Sequence, residues 1–250
     1  MITVQTIFDF LQQKAPLSAA EPWDNPGLLA GDGSKPVRRV VTALDVTPDV
    51  IRQAAAGGAE LIVAHHPVIF APLHTLPADH PVYLLAQHSL AALCWHTNLD
   101  VAAGGVADTL AAAFGLTGVT AADGYTRIGT LPRAMTPLEL AGTVNRTLHT
   151  RVRGCCGTGP VRTLAVFGGA LDENSLPHLL QADAIVFGEC KHHVRLLLAR
   201  SGKTAWEAGH FATEHAVSSV LAGWLREAFP QLHVTVAEER APFFTPDDPA

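Results

Sequence analysis

Charge is sparse in this 250-residue chain. Only 16% of its residues are Asp, Glu, Lys or Arg, the formal net charge is -6, and no long basic run occurs, which argues against a nucleic-acid surface. Arg38 with Arg39, and Arg151 with Arg153, are too small to count as basic patches. Long apolar runs are missing as well. No stretch reaches the roughly 18 uninterrupted apolar residues that a membrane span needs, and the first residues show no basic leader followed by an apolar region. The expectation is a cytoplasmic protein with neither a membrane nor a nucleic-acid partner. Cysteine is scarce, and Cys94, Cys155, Cys156 and Cys190 include an adjacent pair but no C-x-x-C spacing, so a disulfide framework and a zinc ribbon are both excluded.

What is present is a globular composition, 48% hydrophobic, long enough for one large domain or two closely joined lobes. Thirteen histidines is a high count, and several close apolar runs, which makes a metal site worth pursuing. The sharpest instance is Ala64, His65, His66, Pro67 after the run Leu61, Ile62, Val63. Such a run bounded by a breaker reads as a buried strand, and ligand sites in α/β sheets collect where strands end. Successive strand side chains point to opposite faces, so both imidazoles serve one site only if the strand stops here, as Pro67 encourages.

Taken in order, residues 3–14 carry Val4, Ile7, Phe8 and Leu11 at helical spacing, with Thr3 or Thr6 as cap. Residues 22–32 hold prolines and glycines that imply a tight loop or edge strand, with Asp24 and Asn25 satisfying backbone groups in an Asx turn. Residues 37–44 read as a strand and 47–56 as a helix with Thr47 as cap and Pro48 near its start; Asp45 between them also reads as a cap rather than a ligand. A helix over 81–89, a strand over 90–95 and a helix with Val106, Leu110 and Phe114 on one face complete the first half. Residues 121–163 are weakly patterned and read as a connection, with a strand near Ile128 and a helix over 137–148. Strands over 164–167, 184–187 and 204–208, a helix over 194–200 and an amphipathic helix through Val217, Leu221 and Leu225 follow, with a disordered tail beyond Phe244. The two halves repeat one order of events, which points to an internal duplication.

Four strand ends thus present titratable pairs: His65 and His66; His96 and Asp100; Glu189 and His193; His210 and Glu214. Read as strands of one parallel sheet, their ends face one crevice. His96 with Asp100, and His210 with Glu214, are four apart and so share a helix face. Imidazole with carboxylate suits Zn, Fe or Mn, and three or four histidines with two or three acids are enough for two ions. His192 reads as a solvated helix residue, and Cys190 as small packing.

The motifs W-D-N-x-G-L at Trp23 to Leu28, L-D-V-T at Leu44 to Thr47, A-H-H-P at Ala64 to Pro67, H-T-N-L-D at His96 to Asp100, G-E-x-K-H-H at Gly188 to His193 and G-H-F-A-T-E at Gly209 to Glu214 span nearly the whole chain. In order and combination they resemble the GTP cyclohydrolase 1 type 2 or Nif-three-like family. The resemblance implies an α/β fold of two pseudo-symmetric, intertwined lobes (about 1–125 and 126–250), with mixed sheets flanked by helices and a dinuclear metal site between them. It maps the ligands onto His65, His66, Asp100, His210 and Glu214, for two divalent ions such as Zn, Fe or Mn. It further implies a ring-shaped homohexamer, and the chain looks like the short form without an inserted central domain. Ala170, Leu171 and Asp172 depart from the glycine-rich loop expected after Gly168 and Gly169, which puts phosphate contacts in doubt. The function implied is hydrolysis of a nucleotide or related small molecule, with His193, Glu189 and, as fallback, His96 as proton-handling catalytic residues. The competing function is a metal-binding scaffold or regulatory protein.

Overall fold

The computed structural model of the protein describes residues 1–243; the tail beyond Phe244, expected to be disordered, lies outside the described residues. Helix α1 (Val4–Lys14) starts at Thr3, whose side chain accepts from the Thr6 amide in a capping box. After a 3-10 turn come β1 (Gly27–Ala30), β2 (Arg39–Ala43), α2 (Pro48–Ala56), β3 (Leu61–Ala64), α3 (Pro81–Gln87), β4 (Ala91–Cys94) and the short α4 (Thr97–Val101). Next are α5 (Val106–Ala113), β5 (Thr117–Ala121), β6 (Arg127–Met135), α6 (Pro137–Leu148) and β7 (Arg153–Cys155). The chain continues through β8 (Val161–Leu171), α7 (Leu176–Leu179), β9 (Ala184–Cys190), α8 (His192–Arg200), β10 (Thr204–Glu207) and α9 (His210–Glu214), and closes with α10 (Val217–Ala228) and β11 (His233–Val236).

Thr47 caps α2 by accepting from the Val50 amide, so Asp45 is left for another task than the capping expected of it. The segment over 121–163, expected as a connection, instead supplies β6 and β7 to a sheet. Its weak pattern has a cause: β7 is three residues long and β5 is exposed throughout, so neither shows the alternation of a half-buried strand.

Two compact units result, one of Met1–Gly105 with Val217–Arg240, the other of Val106–Ala216 with residues 241–243. The expected boundary near residue 125 differs from this division, for two physical reasons. Helix α5 packs on β6 and β8, so the second unit begins at Val106, and β11 pairs in parallel with β2, which returns the last helix and strand to the first unit.

The first unit holds a five-stranded sheet in the order β1-β4-β3-β2-β11, parallel except for β1. Leu61, Ile62 and Val63 of β3 are fully buried, as a central parallel strand covered on both faces requires, and each contributes on the order of 1.5–3 kcal/mol. The second unit holds a six-stranded mixed sheet, β5-β6-β8-β9-β10-β7, in which β8, β9 and β10 are parallel. The orders β1-β4-β3-β2 and β7-β10-β9-β8 are the same topology, with the first strand of each set antiparallel at its edge. Even a detail repeats: the carboxylate just before β3, Glu60, accepts the Arg38 and Arg39 amides, and the one just before β9, Asp183, accepts those of Arg162 and Thr163. The four histidine-bearing strand ends accordingly belong to two sheets, not to the single parallel sheet expected.

Candidate metal centre

In the first unit β3 stops at Ala64, and the next two side chains come together, with the His65 and His66 ring centroids 4.8 Å apart. Trp95, fully buried, donates its indole N–H to Ala15 O at 2.7 Å and fixes the chain one residue before His96, the N-cap of α4. The His96 ring lies 5.3 Å from that of His65 and 5.6 Å from that of His66. One ring nitrogen from each of the three falls within 4.8 Å of the others, a spacing that could hold a metal ion. Asp100, one helical turn on, places Oδ1 3.4 Å from His65 Nε2.

Each of these rings is held from behind through Nδ1. His65 Nδ1 lies 2.8 Å from Trp95 O, His66 Nδ1 2.8 Å from Asp45 Oδ1, and His96 Nδ1 2.8 Å from Asp24 Oδ1. A carbonyl oxygen can only accept, so His65 Nδ1 carries a proton, and Nε2 is the ring nitrogen that faces Asp100. Asp24 is itself clamped, for Thr97 donates to it from both its amide and its hydroxyl. Burial works to raise the Asp24 carboxyl, but the hydrogen bonds to His96 and Thr97 outweigh it and bring its pKa down to about 2. Asp24 also accepts the adjacent Asn25 amide, which is not the contact two residues on that the expected Asx turn requires, and its carboxylate instead orients a histidine.

In the second unit α9 presents His210 and Glu214, with Nε2 to Oε2 at 2.9 Å, and His210 Nδ1 lies 3.0 Å from Glu189 Oε1. Glu189 therefore holds His210 and is not paired with His193. His193 is exposed on α8 with Nε2 3.7 Å from Glu173, and His192 is exposed as expected. The Glu214 carboxylate is almost buried, and glycine makes that possible: Gly169, at φ +65° in an irregular stretch of β8, would place a Cβ 2.1 Å from Glu214 Oε1. Its amide donates to Thr213 Oγ1 at 3.1 Å. Ala170 and Leu171 continue β8 opposite Glu189 and Cys190, and Asp172 closes a turn by accepting from Asn174 and Ser175, so no glycine-rich loop follows. Burial pushes the Cys94 thiol up to about 12 and also raises Cys190.

The expected ligand residues therefore lie as His65, His66 and Asp100 in one unit, where His96 joins them, and as His210 and Glu214 in the other. The sequence reading missed Asp24 and Asp45 as ring-orienting groups and Gly169 as a cradle. Only the motif positions of the first two, each just after a turn signal or strand, marked them at all.

The Duf34/NIF3 (NGG1p interacting factor 3) family pattern matches residues 2–242. This chain belongs to that family. A Clostridium perfringens relative called GTP cyclohydrolase 1 type 2 homolog is 29% identical over 226 residues, which cover 84% of this chain and 86% of the relative. A Halalkalibacterium halodurans protein of the same description is 44% identical over 116 residues, 45% of this chain and only 31% of that protein's own length. Among solved structures, a Bacillus cereus protein related to NIF3 matches with a TM-score of 0.89 at 22% identity, over 98% of this chain and 99% of that one, and shares the fold. The α/β architecture of two mixed sheets flanked by helices is thus that of the Duf34/NIF3 family. Among the described residues no helix is long and apolar enough to cross a membrane.

Proposed function

We propose that this Duf34/NIF3 protein is a cytoplasmic metal-dependent hydrolase of a nucleotide or related small molecule. Its donors to two divalent transition-metal ions (Zn, Fe or Mn) are His65, His66 and Asp100 from the first unit and His210 and Glu214 from the second. One observation carries this reading: His65, His66 and His96 in the first unit and His210 in the second are each committed through Nδ1 to an oxygen acceptor, so that Nε2 is the ligating atom. Histidines that merely fill a strand end have no reason to share one nitrogen's role four times over. The mixture of imidazole and carboxylate fits transition metals rather than Mg or Ca. Bound there, such ions supply Lewis-acid polarisation and activate water near neutral pH.

The chain's own residues then divide the work. Asp24, Asp45, Glu189 and the Trp95 carbonyl hold the rings in one tautomer and orientation. His96, whose ring joins those of His65 and His66, is either a further donor or the proton-handling group beside them. In the second unit a cavity of 700 Å³ is lined by Asp172, Glu173, Glu189, Lys191 and His193 among others. His193 is the imidazole that lines it and the candidate to move a proton, and the Glu189 carboxylate, engaged with His210, supports that ring rather than the reaction. The relatives' description makes opening of the GTP ring the first reaction to assay. The family resemblance of the motifs supports a closed homohexamer, which light scattering checks.

The test is elemental analysis of the full chain after reconstitution with Zn, Mn or Fe, followed by assay against nucleotides, phosphoesters and amides. About two ions per chain are expected, falling together with turnover in Asp100→Ala. Less than half an ion per chain, or full metal with no turnover across the panel, overturns the hydrolase reading.

A further inference from the structure

Two of the largest side chains in the first unit face solvent beside the histidine cluster. Trp23 and Phe70 are each 58% exposed, although burying an aromatic ring is among the strongest single contributions a side chain makes to folding. They are not loose. Asp24, next to Trp23, is bound to His96 and Thr97, and Asn25 donates from Nδ2 to Ile69 O at 2.7 Å, which ties the Trp23 loop to the residue preceding Phe70. The ring centroids stand 5.8 Å apart at 48°, a V rather than a stack, and each lies 6.1 Å from the His96 ring and nearly perpendicular to it. The V is thus open to solvent and has a metal-competent imidazole at its edge.

From this geometry we infer that Trp23 and Phe70 form a clamp for the planar heterocycle of the substrate, with His96 marking the edge at which its reacting atoms enter. The inference rests on the hydrolase reading for its purpose but not for its test. A flat π-system gains by offset stacking on an indole face and by edge contact with the second ring, and the hydrogen-bonded loops mean that little ordering is left to be done on binding. The clamp acts on the ring alone, since both of its side chains are uncharged and the adjacent Asp24 is engaged with His96 and Thr97. It selects for a base or similar heterocycle and makes no contact of its own with a phosphate.

The experiment is calorimetric titration of the full chain, chelated and metal-loaded, with guanosine 5′-monophosphate and with ribose 5-phosphate, which differ only in the base. Tryptophan emission is followed in parallel, and Trp23→Phe identifies the share that Trp23 contributes among the chain's four tryptophans. On the chelated protein the monophosphate should bind saturably and quench the emission, with ribose 5-phosphate silent; on the metal-loaded protein the monophosphate should remain the tighter of the two. Trp23→Ala and Phe70→Ala should each weaken binding roughly 10- to 100-fold while keeping the wild-type circular dichroism, and Trp23→Phe should recover most of the loss. Equal binding of both probes, undiminished binding by both alanine variants, or saturation by tetramethylammonium in place of the nucleotide would overturn the clamp. So would a change of oligomeric mass in Trp23→Ala with unchanged affinity, because the rings would then serve a second copy of the chain. No turnover enters these readouts, so a metal-loaded protein without hydrolysis defeats the proposed function and leaves the clamp standing.

Discussion

Gly169→Ala separates the cost of a backbone conformation from the loss of a ligand. The added Cβ would lie 2.1 Å from Glu214 Oε1, 3.1 Å from its Cδ and 3.3 Å from His210 Nε2, at a φ of +65°. Gly118 provides the control: its φ is +60°, with nothing within 4 Å of the added carbon, so Gly118→Ala carries the left-handed strain alone. That strain is about 1–2 kcal/mol, a fall of roughly 2–8 °C in Tm for a chain of this size. At Gly169 the same strain is joined by a clash, but the atom struck is the end of a flexible side chain, so the carboxylate swings away and the backbone stays. The added stability cost is on the order of 1–3 kcal/mol. The loss falls on the site, because Glu214 then cannot face His210, and metal affinity should drop at least 10- to 100-fold, the scale seen when groups that orient ligands are removed. Gly188→Ala gives the opposite case, since its Cβ would meet the Gly169 carbonyl oxygen at 2.3 Å and only backbone movement relieves that. Urea denaturation of the chelated proteins should rank Gly118→Ala, Gly169→Ala, Gly188→Ala in order of increasing damage, while metal titration singles out Gly169→Ala among the first two. A Gly169→Ala protein with wild-type metal affinity and the stability of Gly118→Ala would refute the cradle.

Asp45→Ala removes the acceptor behind His66 and should weaken metal binding by about 10- to 100-fold with a small change in Tm, measured by competition with a chelating dye. His193→Ala should keep its metal and lose roughly 100-fold in turnover on whichever substrate the panel reveals; undiminished turnover would remove the proton-transfer role. Asp183→Asn addresses pH. Burial raises the Asp183 carboxyl, but the amides of Thr163 and Arg162, the Thr163 hydroxyl and the Lys203 charge outweigh it and hold the group below its usual 3.8. A carboxyl lowered in the folded state stabilises above its unfolded value and stops doing so as pH falls through its folded one. Wild type should therefore exceed the variant by about 1 kcal/mol at neutral pH, a low value because the group is exposed, and the two urea midpoints should converge below 3.8. A gap that persists there would mean that the charge is not what Asp183 contributes.

The elements legible in the sequence were those with a strong period or a cap. Helix α6 begins and ends where Pro137 and Leu148 placed it, because Thr136 and Glu139 close a capping box and His149 takes the left-handed position at its end. Helix α2 was legible through Thr47 and Pro48. Strand β11 was missed because four residues with alternating exposure, at the end of the described chain, resemble a tail until β2 is seen to pair with them. The histidines of the candidate centre could be picked out because they interrupt apolar runs. Their supports could not, since Asp24 reaches His96 across 72 residues and Asp45 reaches His66 across 21, and no local pattern records a contact of that kind.

The repeat explains why the two units hold unequal chemistry on equal frames. Strand pairing sets Ala64 opposite Cys94 in one sheet and Phe187 opposite Glu207 in the other, so His65 and His66 correspond to Gly188 and Glu189. Two residues after Cys94 and Glu207 come the N-caps of α4 and α9, which are His96 in the first unit and Gly209, at φ +95°, in the second. The matching His-x-x-x-acid spacing of the two motifs is therefore displaced by one residue, about 100° around the helix, and the position equivalent to Asp100 is Thr213, not Glu214. Each substitution has a structural consequence. Gly188 leaves room for the Gly169 carbonyl and for Thr213 Oγ1, where a Cβ would stand 2.3 and 2.8 Å away; Thr213 receives the Gly169 amide; and Glu189 turns to His210 Nδ1. The second unit has given the positions that carry donors in the first to the support of a single His–Glu pair. A sequence comparison that aligns histidine with histidine conceals this, whereas alignment by strand register separates the candidate ligands from the residues that hold them.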